Sequence, residues 1–136
     1  MFEYKLFLII NIPAYKDFIM PSIYASPSNR ADFNILVWEI VRLIPPGKVM
    51  TYGQIAGLIP PPANMSMKGY RTLAPRWVGG AMAHCPVDVP WQRVVNSQGG
   101  ISLRDSSNRQ RSLLEDEGVE FNLKGQINLD KFQFHV

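Results

Sequence analysis

Cysteine and histidine are scarce in this chain. Of its 136 residues, one is a cysteine, Cys85, and two are histidines, His84 and His135. A single cysteine excludes an intramolecular disulfide and a cysteine-rich zinc site, and it agrees with a reducing compartment. The two histidines lie too far apart in the sequence to predict a shared metal ion. We therefore expect neither a metal nor a cofactor.

Long hydrophobic runs are also missing. The apolar run at residues 6–12 covers only seven residues, which is too short to span a bilayer, and Glu3 argues against a signal peptide. The turn-rich stretch MPSIYASPSNR follows and begins with a second methionine, Met20. We predict that residues 1–30 form a poorly ordered extension or precede the true start of translation; the alternative is an extra strand packed on the domain. Residues 31–136 then form one domain that does not associate with membranes.

Acidic residues are few in the middle of the chain. Between positions 68 and 111 there are two acids against seven lysines and arginines, so this segment carries +5 and the remainder −2, for a net charge of +3. A basic block within a folded region is typical of a polyanion-binding surface, and the alternative is an ordinary solvated basic face. The seven cations are Lys68, Arg71, Arg76, Arg93, Arg104, Arg109 and Arg111.

The first half of the domain has the pattern of helices. Apolar residues recur at spacings of three and four from position 33 to 44, which predicts an amphipathic helix that begins near Asn29 or Asp32. The segment IPPGK ends it, because two prolines and a glycine cannot continue a helix. Thr51 is the expected N-cap of a short second helix in TYGQIAGLI. The apolar positions of the first helix are Phe33, Leu36, Val37, Ile40, Leu43 and Ile44.

A third helix is predicted to begin near Pro75, a residue favoured at the first helical position, after a long proline-rich connection, PPPANMSMKGYRTLA. Arg76, Gly80 and Ala83 share one face of this helix. Each glycine within a helix costs about 1 kcal/mol relative to alanine, so we expect the backbone to lie close to a neighbouring helix or a nucleic-acid groove. The opposite, core-facing side contains Val78, Ala81, Met82 and Cys85.

Beyond the third helix the pattern changes to short strands. WQRVV and GISL flank the turn NSQGG and predict two strands. A polar-led helix follows in SSNRQRSLLEDEG and ends at Gly118, and VEFNL and QINL flank KG as a terminal hairpin. A short helix directly before a basic one, with a hairpin after them, indicates an α+β domain with a helix-turn-helix and a wing. These patterns alone predict a small basic domain that binds DNA.

Four motifs occur in the order and approximate spacing of one known family. They are IPPGKVMTYGQIA, PRWVGGAM, VPWQRVVNSQGGIS and LLEDEGV, and the resemblance that they carry covers about residues 32–120. The chain resembles the DNA-binding C-terminal domain of O6-alkylguanine-DNA alkyltransferases, which implies a winged-helix fold of that type. In these enzymes the third motif contains Pro-Cys-His-Arg. The cysteine accepts the alkyl group from damaged guanine, and the histidine and a distant glutamate activate it.

The same resemblance implies that the transfer chemistry is lost. Trp91 stands at the position of the acceptor cysteine, Gln92 stands at that of its histidine, and Glu117 matches the glutamate. An indole cannot accept an alkyl group at ordinary rates, and an amide cannot relay protons as an imidazole does. The chain is therefore similar to alkyltransferase-like proteins, the inactive relatives, and we expect no catalytic residue. Cys85 falls on the core face of the third helix, and we interpret it as structural rather than as a displaced nucleophile.

Matched positions imply which residues bind DNA and flip the base. Tyr52 matches a tyrosine that crowds the target phosphate and helps to rotate the nucleotide outward; the alternative is a buried structural tyrosine. Arg76 matches an arginine that fills the space vacated in the base stack, and its alternative is a phosphate contact. Gly80 and Ala83 would then lie along the minor groove.

A second set of matched positions implies a lesion pocket. Trp91 would form a wall on which the flipped base stacks, and its alternative is a core tryptophan. Arg104 matches an arginine at the pocket edge that can contact the modified guanine, and its alternative is a phosphate contact from the wing. Asn96 and Ser97 fall in the turn beside the pocket. Arg93 is expected to brace the loop rather than to contact a base.

The resemblance therefore implies a protein that recognises O6-alkylguanine in double-stranded DNA by base flipping and marks it for nucleotide excision repair proteins. We expect a monomer, located in the cytoplasm or nucleoid of a prokaryote or in the nucleus of a eukaryote. One alternative is a winged-helix regulator that binds a fixed DNA sequence, which would have no use for a Trp91 pocket. The other is an active methylated-DNA–protein-cysteine methyltransferase that uses an unusual residue.

Overall fold

The computed structural model of the protein describes residues 26–102 and 106–136. The predictions for residues 1–25 and for Arg104 fall outside these ranges. No described helix is long and apolar enough to cross a membrane. In chain order the elements are α1 (Arg30–Val41), β1 (Met50–Thr51), α2 (Tyr52–Gly57), α3 (Met67–Ala83), a 3-10 turn (Trp91–Arg93), β2 (Val94–Val95), α4 (Ser107–Asp116) and α5 (Leu129–Phe132).

The first two helices confirm the predictions made from their caps. The side-chain oxygen of Asn29 accepts a hydrogen bond from the Asp32 amide at 2.9 Å, so α1 begins where its polar cap satisfies an otherwise unpaired donor. The hydroxyl of Thr51 accepts from the Gln54 amide at 3.0 Å, and the Gln54 side chain accepts from the Thr51 amide at 3.3 Å. This reciprocal capping box fixes the start of α2 directly after β1.

The predicted start of the third helix is wrong. α3 begins at Met67, where the Ser66 hydroxyl accepts from the Gly69 amide at 3.1 Å, and Pro75 lies in its interior. A proline there lacks the amide hydrogen that would bond the carbonyl four residues earlier. Tertiary packing outweighs that loss, because Tyr70 and Ala74 are buried before the proline, as Val78 is after it. Much of the predicted proline-rich connection is therefore helical.

The region after α3 is less regular than the sequence predicted. Residues 91–93 of the segment WQRVV form a 3-10 turn, and only Val94 and Val95 are strand. In GISL, the only described pairing is a single bridge from Gly100 to Gln126. The terminal hairpin is confirmed in part: Phe121 pairs antiparallel with Ile127, but α5 then replaces the rest of the second predicted strand.

The two strands join two hydrophobic clusters. β1 and β2 pair in parallel, with Met50 opposite Val94 and Thr51 opposite Val95. Met50 and Val94 belong to the larger cluster, which also holds the buried faces of α1, α2 and α3, whereas Val95 belongs to the smaller one. The strand pair therefore places the turn Trp91–Arg93 at the junction of the two clusters. The smaller cluster consists of Val49, Val95, Leu114, Val119, Ile127 and Phe132.

Candidate nucleic-acid interface

Four donors from three residues converge on the carboxylate of Glu117, the residue that ends α4. Oε1 accepts from the Gly47 amide at 3.2 Å and from Arg93 Nε at 3.0 Å. Oε2 accepts from Gln92 Nε2 at 2.9 Å and from Arg93 Nη2 at 3.0 Å. Arg93 Nη1 also donates to the Ile44 carbonyl at 2.8 Å. The predicted bracing role of Arg93 is thus confirmed. Arg93 ties the turn to the residue directly after α4 and to the segment that follows α1.

The environment of Glu117 keeps it ionised. Burial opposes its negative charge, but the hydrogen bonds from Arg93, Gln92 and Gly47 outweigh burial and hold its pKa below the usual value. An ionised carboxylate only accepts hydrogen bonds, and the Gln92 amide can only donate to it. The pair at the position of the proton relay is therefore a fixed structural contact that cannot pass a proton to a neighbouring group.

Trp91 opens the 3-10 turn and is half-buried against the larger cluster. Gln110, which is buried in α4, holds this turn in place: its Nε2 donates to the carbonyls of Gln92 at 3.1 Å and Val94 at 2.9 Å. The guanidinium of the neighbouring Arg109 lies 5.9 Å from the centroid of the Trp91 ring, within the range of a cation–π contact. The turn is thus held by polar contacts on the α4 side and by apolar packing beneath.

Asn96 and Ser97 lie in the turn that follows β2. Asn96 Oδ1 accepts from the amides of Gln98 at 3.0 Å and Gly100 at 2.9 Å, so this oxygen serves the turn itself. Ser97 is exposed. Gly99 has a φ of +77°, and a Cβ there would lie 2.3 Å from the Ile127 carbonyl oxygen, so only glycine fits. The side chain of Asn96 and the backbone of Gly99 therefore define the shape of this turn.

The outer face of α3 is small apart from one arginine. Arg76 and Ala83 are exposed, and a Cβ on Gly79 would meet nothing within 4 Å. A Cβ on Gly80 would instead lie 3.3 Å from the guanidinium of Arg30, which extends over the ring of a neighbouring tryptophan in α3. Gly79 is therefore the open glycine of this face, and Gly80 makes room for Arg30.

The Tyr52 side of the interface adjoins α3, because α2 and α3 pack against each other. Tyr52 is the first residue of α2 and is half-buried against the larger cluster. The hydroxyl of Tyr70 in α3 donates to the Ala56 carbonyl of α2 at 3.0 Å, which ties the two helices together. Tyr52 and Arg76 are thus carried by adjoining helices, whereas Trp91 is carried by the separate turn described above.

Most of the basic block is exposed. Arg93 is committed to Glu117, and Arg111 lies 3.5 Å from Glu115. Within residues 26–102 and 106–136, the other cations of the block form no ion pair and face solvent. They are Lys68, Arg71, Arg76 and Arg109.

A cleft of about 450 Å³ lies between α2 and the first half of α3. Its walls are mostly apolar, and Arg71 is the charged residue among them. It contains none of the predicted DNA-binding or pocket residues, so this cleft and the predicted site do not coincide. The cleft is lined by Gly53, Ala56, Gly57, Leu58, Ile59, Pro60, Pro61, Met67, Tyr70, Arg71 and Pro75.

Cys85 is half-buried just beyond the end of α3 and packs against the larger cluster. Burial raises the pKa of its thiol, which disfavours the reactive thiolate. The interpretation of Cys85 as a structural residue agrees with this placement.

The sequence did not indicate a role for Gly79, Arg30 or Gln110, and it indicated Arg109 only as a member of the basic block. Gly79 could have been found, because at about 100° per residue both it and Gly80 fall within about 60° of Arg76 around the helix. Arg30, Arg109 and Gln110 act through side chains that reach other elements. Periodicity within their own helices carries no signal for such contacts.

The chain belongs to the family of the 6-O-methylguanine DNA methyltransferase, DNA binding domain, whose model matches residues 32–119. Its fold class, predicted as α+β of this DNA-binding type, is confirmed by that match and by solved structures.

The chain is similar to proteins named for base flipping and for likeness to alkyltransferases. The chain is 40% identical over 105 residues to a DNA base-flipping protein of Vibrio parahaemolyticus, covering 75% of this chain and 95% of that protein. It is 45% identical over 94 residues to alkyltransferase-like protein 1 of Schizosaccharomyces pombe, covering 65% and 78%. The crystal structure of S. pombe Atl1 in complex with damaged DNA containing O6-carboxymethylguanine superposes with a TM-score of 0.61 at 38% identity, covering 78% of this chain and 97% of that one.

Proposed function

We propose that this protein recognises O6-alkylguanine in duplex DNA, holds the flipped base against Trp91, and transfers no alkyl group. One observation carries the proposal: in a chain of this family, Gln92 is hydrogen-bonded to Glu117 at 2.9 Å, directly after the tryptophan that the motif resemblance assigns to the acceptor position. The site therefore has an aromatic surface where the enzymes of the family have a nucleophile. Relatives named for base flipping and a relative solved with damaged DNA support the binding part of the proposal.

The outer face of α3 suits the task of opening the base stack. Flipping costs a few kcal/mol of unstacking and unpairing. Arg76 is exposed on a face whose other members, Gly79 and Ala83, are small, so the helix backbone can approach a groove closely while one planar guanidinium enters the stack. Tyr52, on the adjoining helix, acts on the phosphate of the same nucleotide. Lys68 and Arg71 extend the exposed positive charge along α3 and add affinity for the backbone.

The pocket is a binding surface rather than a reaction centre. Stacking of a base on an aromatic side chain is worth about 1–3 kcal/mol, which helps to offset the cost of flipping. Ser97 lies on the turn beside the Trp91 site, and Asn96 shapes that turn with its side-chain oxygen. Arg104 completes the pocket edge in this proposal. Neither the indole of Trp91 nor the half-buried thiol of Cys85 supplies an acceptor.

A protein that binds a lesion without repairing it requires a second activity that removes the damaged nucleotide. We assign this step to nucleotide excision repair proteins, which excise a stretch of the strand and need no chemistry from this chain. The protein acts as a monomer on chromosomal DNA, and we place it in the compartment that holds that DNA.

The deciding experiment compares duplexes that differ only in one O6-methylguanine. We expect tighter binding to the modified duplex, and the amount of O6-methylguanine should remain unchanged after digestion of DNA incubated with excess protein. Stoichiometric loss of the methyl group would contradict the proposal. Equal affinity for both duplexes, combined with a preference for one base sequence, would instead indicate a regulator.

A pair of variants tests the role assigned to Gln92. Trp91→Cys alone should give little methyl transfer, because the neighbouring amide cannot take up the thiol proton. Trp91→Cys combined with Gln92→His should give measurably more, read as methylated protein by mass spectrometry. Equal transfer by the two variants would mean that Gln92 does not limit the chemistry.

A further inference from the structure

The proposed function assigns no role to Arg109. It is exposed on α4 and forms no ion pair with any residue that the structure describes, and its guanidinium lies 5.9 Å from the centroid of the Trp91 ring. Arg111, two residues further on, is engaged by comparison, since it lies 3.5 Å from Glu115 and 4.6 Å from the centroid of the Phe121 ring. Arg109 therefore brings to the edge of the Trp91 site a positive charge that no described acidic residue pairs with.

The position of Arg109 is fixed by its neighbour in the chain. Gln110 is 3% exposed and donates to the carbonyls of both Gln92 and Val94, which flank Arg93 in the Trp91 turn and the strand after it. These bonds hold the first turns of α4 against the turn that carries Trp91. Arg109 remains beside the indole even though its own side chain faces solvent.

The group of the bound DNA that lies nearest to Arg109 follows from the position of Trp91. Under the proposed function the flipped base stacks against Trp91, so its O6 substituent extends beside the indole rather than into it. Arg109, whose guanidinium lies 5.9 Å from the centroid of that ring, is therefore placed to meet the far end of the substituent. A guanidinium forms paired, charge-assisted hydrogen bonds with a carboxylate, but gains little from a methyl group.

We propose that Arg109 makes the pocket favour O6-alkyl substituents that carry a carboxylate over neutral substituents of the same size. This inference rests on the proposed function. A cation–π contact at an exposed site is weak, so the guanidinium can leave the indole for a carboxylate at little cost. Because the site is open to solvent, screening limits the gain to about three- to tenfold in affinity, and the gain falls as salt rises.

The test uses one duplex sequence with three substituents on the same guanine: methyl, carboxymethyl and carbamoylmethyl. The last two have nearly the same shape and differ in charge, so the ratio of their dissociation constants isolates the carboxylate. Fluorescence anisotropy should show the carboxymethyl duplex bound about three- to tenfold more tightly than the carbamoylmethyl one. Arg109→Ala should bring that ratio close to one and keep the preference for O6-methylguanine over guanine. Arg109→Glu should invert the ratio.

Arg111→Ala is the matched control, because it removes the same charge from the same helix at a side chain engaged elsewhere. It should weaken all duplexes alike and leave the ratio unchanged. A wild-type ratio near one, with the preference for lesions intact, would overturn the role of Arg109 and leave the proposed function standing. A ratio abolished by Arg104→Ala but kept by Arg109→Ala would overturn it as well. Absence of any preference for lesions would remove both proposals.

Discussion

The two parts of the candidate interface are held in place by different forces. α3, which carries Arg76, is held mainly by apolar packing of Tyr70, Ala74 and Val78, with one side-chain hydrogen bond to each of α1 and α2. The turn that carries Trp91 is held by hydrogen bonds to Gln110 in α4 and to Glu117, which directly follows α4. Apolar packing spreads its energy over many weak contacts, whereas a polar network concentrates it in a few groups. A single polar substitution should therefore destabilise the Trp91 turn more than it destabilises α3.

The largest effect is expected at the centre of the polar network. Glu117→Gln removes the charge that compensates Arg93 and should lower the free energy of unfolding by about 2 kcal/mol, below the range for a fully buried ion pair that loses one partner, because both side chains are only partly buried. Urea unfolding measures this directly. Glu115→Gln, in the exposed pair with Arg111, is the control and should cost less than about 0.5 kcal/mol. Equal losses in the two variants would mean that the network carries no special share of the stability.

The two parts should also separate in function. Trp91→Ala should leave the base able to leave the stack but hold it less tightly, by about 1.5 kcal/mol, or roughly tenfold in affinity for the lesion. Arg76→Ala should reduce flipping itself and retain weak non-specific binding. A fluorescent base analogue that brightens when unstacked distinguishes them. If Arg76→Ala keeps the fluorescence rise and weakens all duplexes equally, Arg76 is a phosphate contact.

A smaller effect is expected when the side-chain hydrogen bond from α3 to α2 is removed. Tyr70→Phe removes the hydrogen bond to the Ala56 carbonyl and should cost about 1 kcal/mol in urea unfolding. The loss is small because that carbonyl also accepts from the backbone amide of Ile59 at 3.2 Å, so no acceptor is left bare. A cost as large as that of Glu117→Gln would contradict the contrast between the two parts.

Acid provides the mildest test. The folded-state pKa of Glu117 is lowered, so its contribution to stability is fully present above its unfolded pKa and is lost as the pH falls through the folded value. Unfolding followed from about pH 6 down to pH 3 should therefore show a steeper loss of stability for the wild type than for Glu117→Gln. Asp88→Asn is the control for an exposed carboxylate whose pKa is also lowered, by Arg42. Parallel curves for the wild type and Glu117→Gln would exclude the linkage.

How much the sequence predicts differs between the same two parts. The helices α1 and α2 follow from periodicity and cap chemistry, since Asn29 and Thr51 satisfy amides only three residues away. The start of α3 does not, because the preference of Pro75 for a first turn is overridden by burial of Tyr70 and Ala74, which depends on other helices.

The Trp91 turn could be located by its motif but its conformation could not. The β-branched residues after it favoured a strand, whereas the bonds from Gln110, 16 and 18 residues away, shape a 3-10 turn. The resemblance identified Glu117, but the Gly47 amide that bonds it lies 70 residues earlier. Contacts over such distances leave no periodic trace in a single sequence.

The bond from Gln92 to Glu117 also has an evolutionary consequence. Under the proposed function, a lineage that carries it would regain little alkyl transfer by changing one codon, because a cysteine at position 91 would stand beside an amide that is already hydrogen-bonded to the carboxylate. The intermediate sequence would lose the aromatic surface of Trp91 without gaining a working nucleophile, so selection would act against it. Under the proposed function, this pair of neighbouring residues makes the loss of chemistry difficult to reverse, and leaves lesion recognition as the trait that selection maintains.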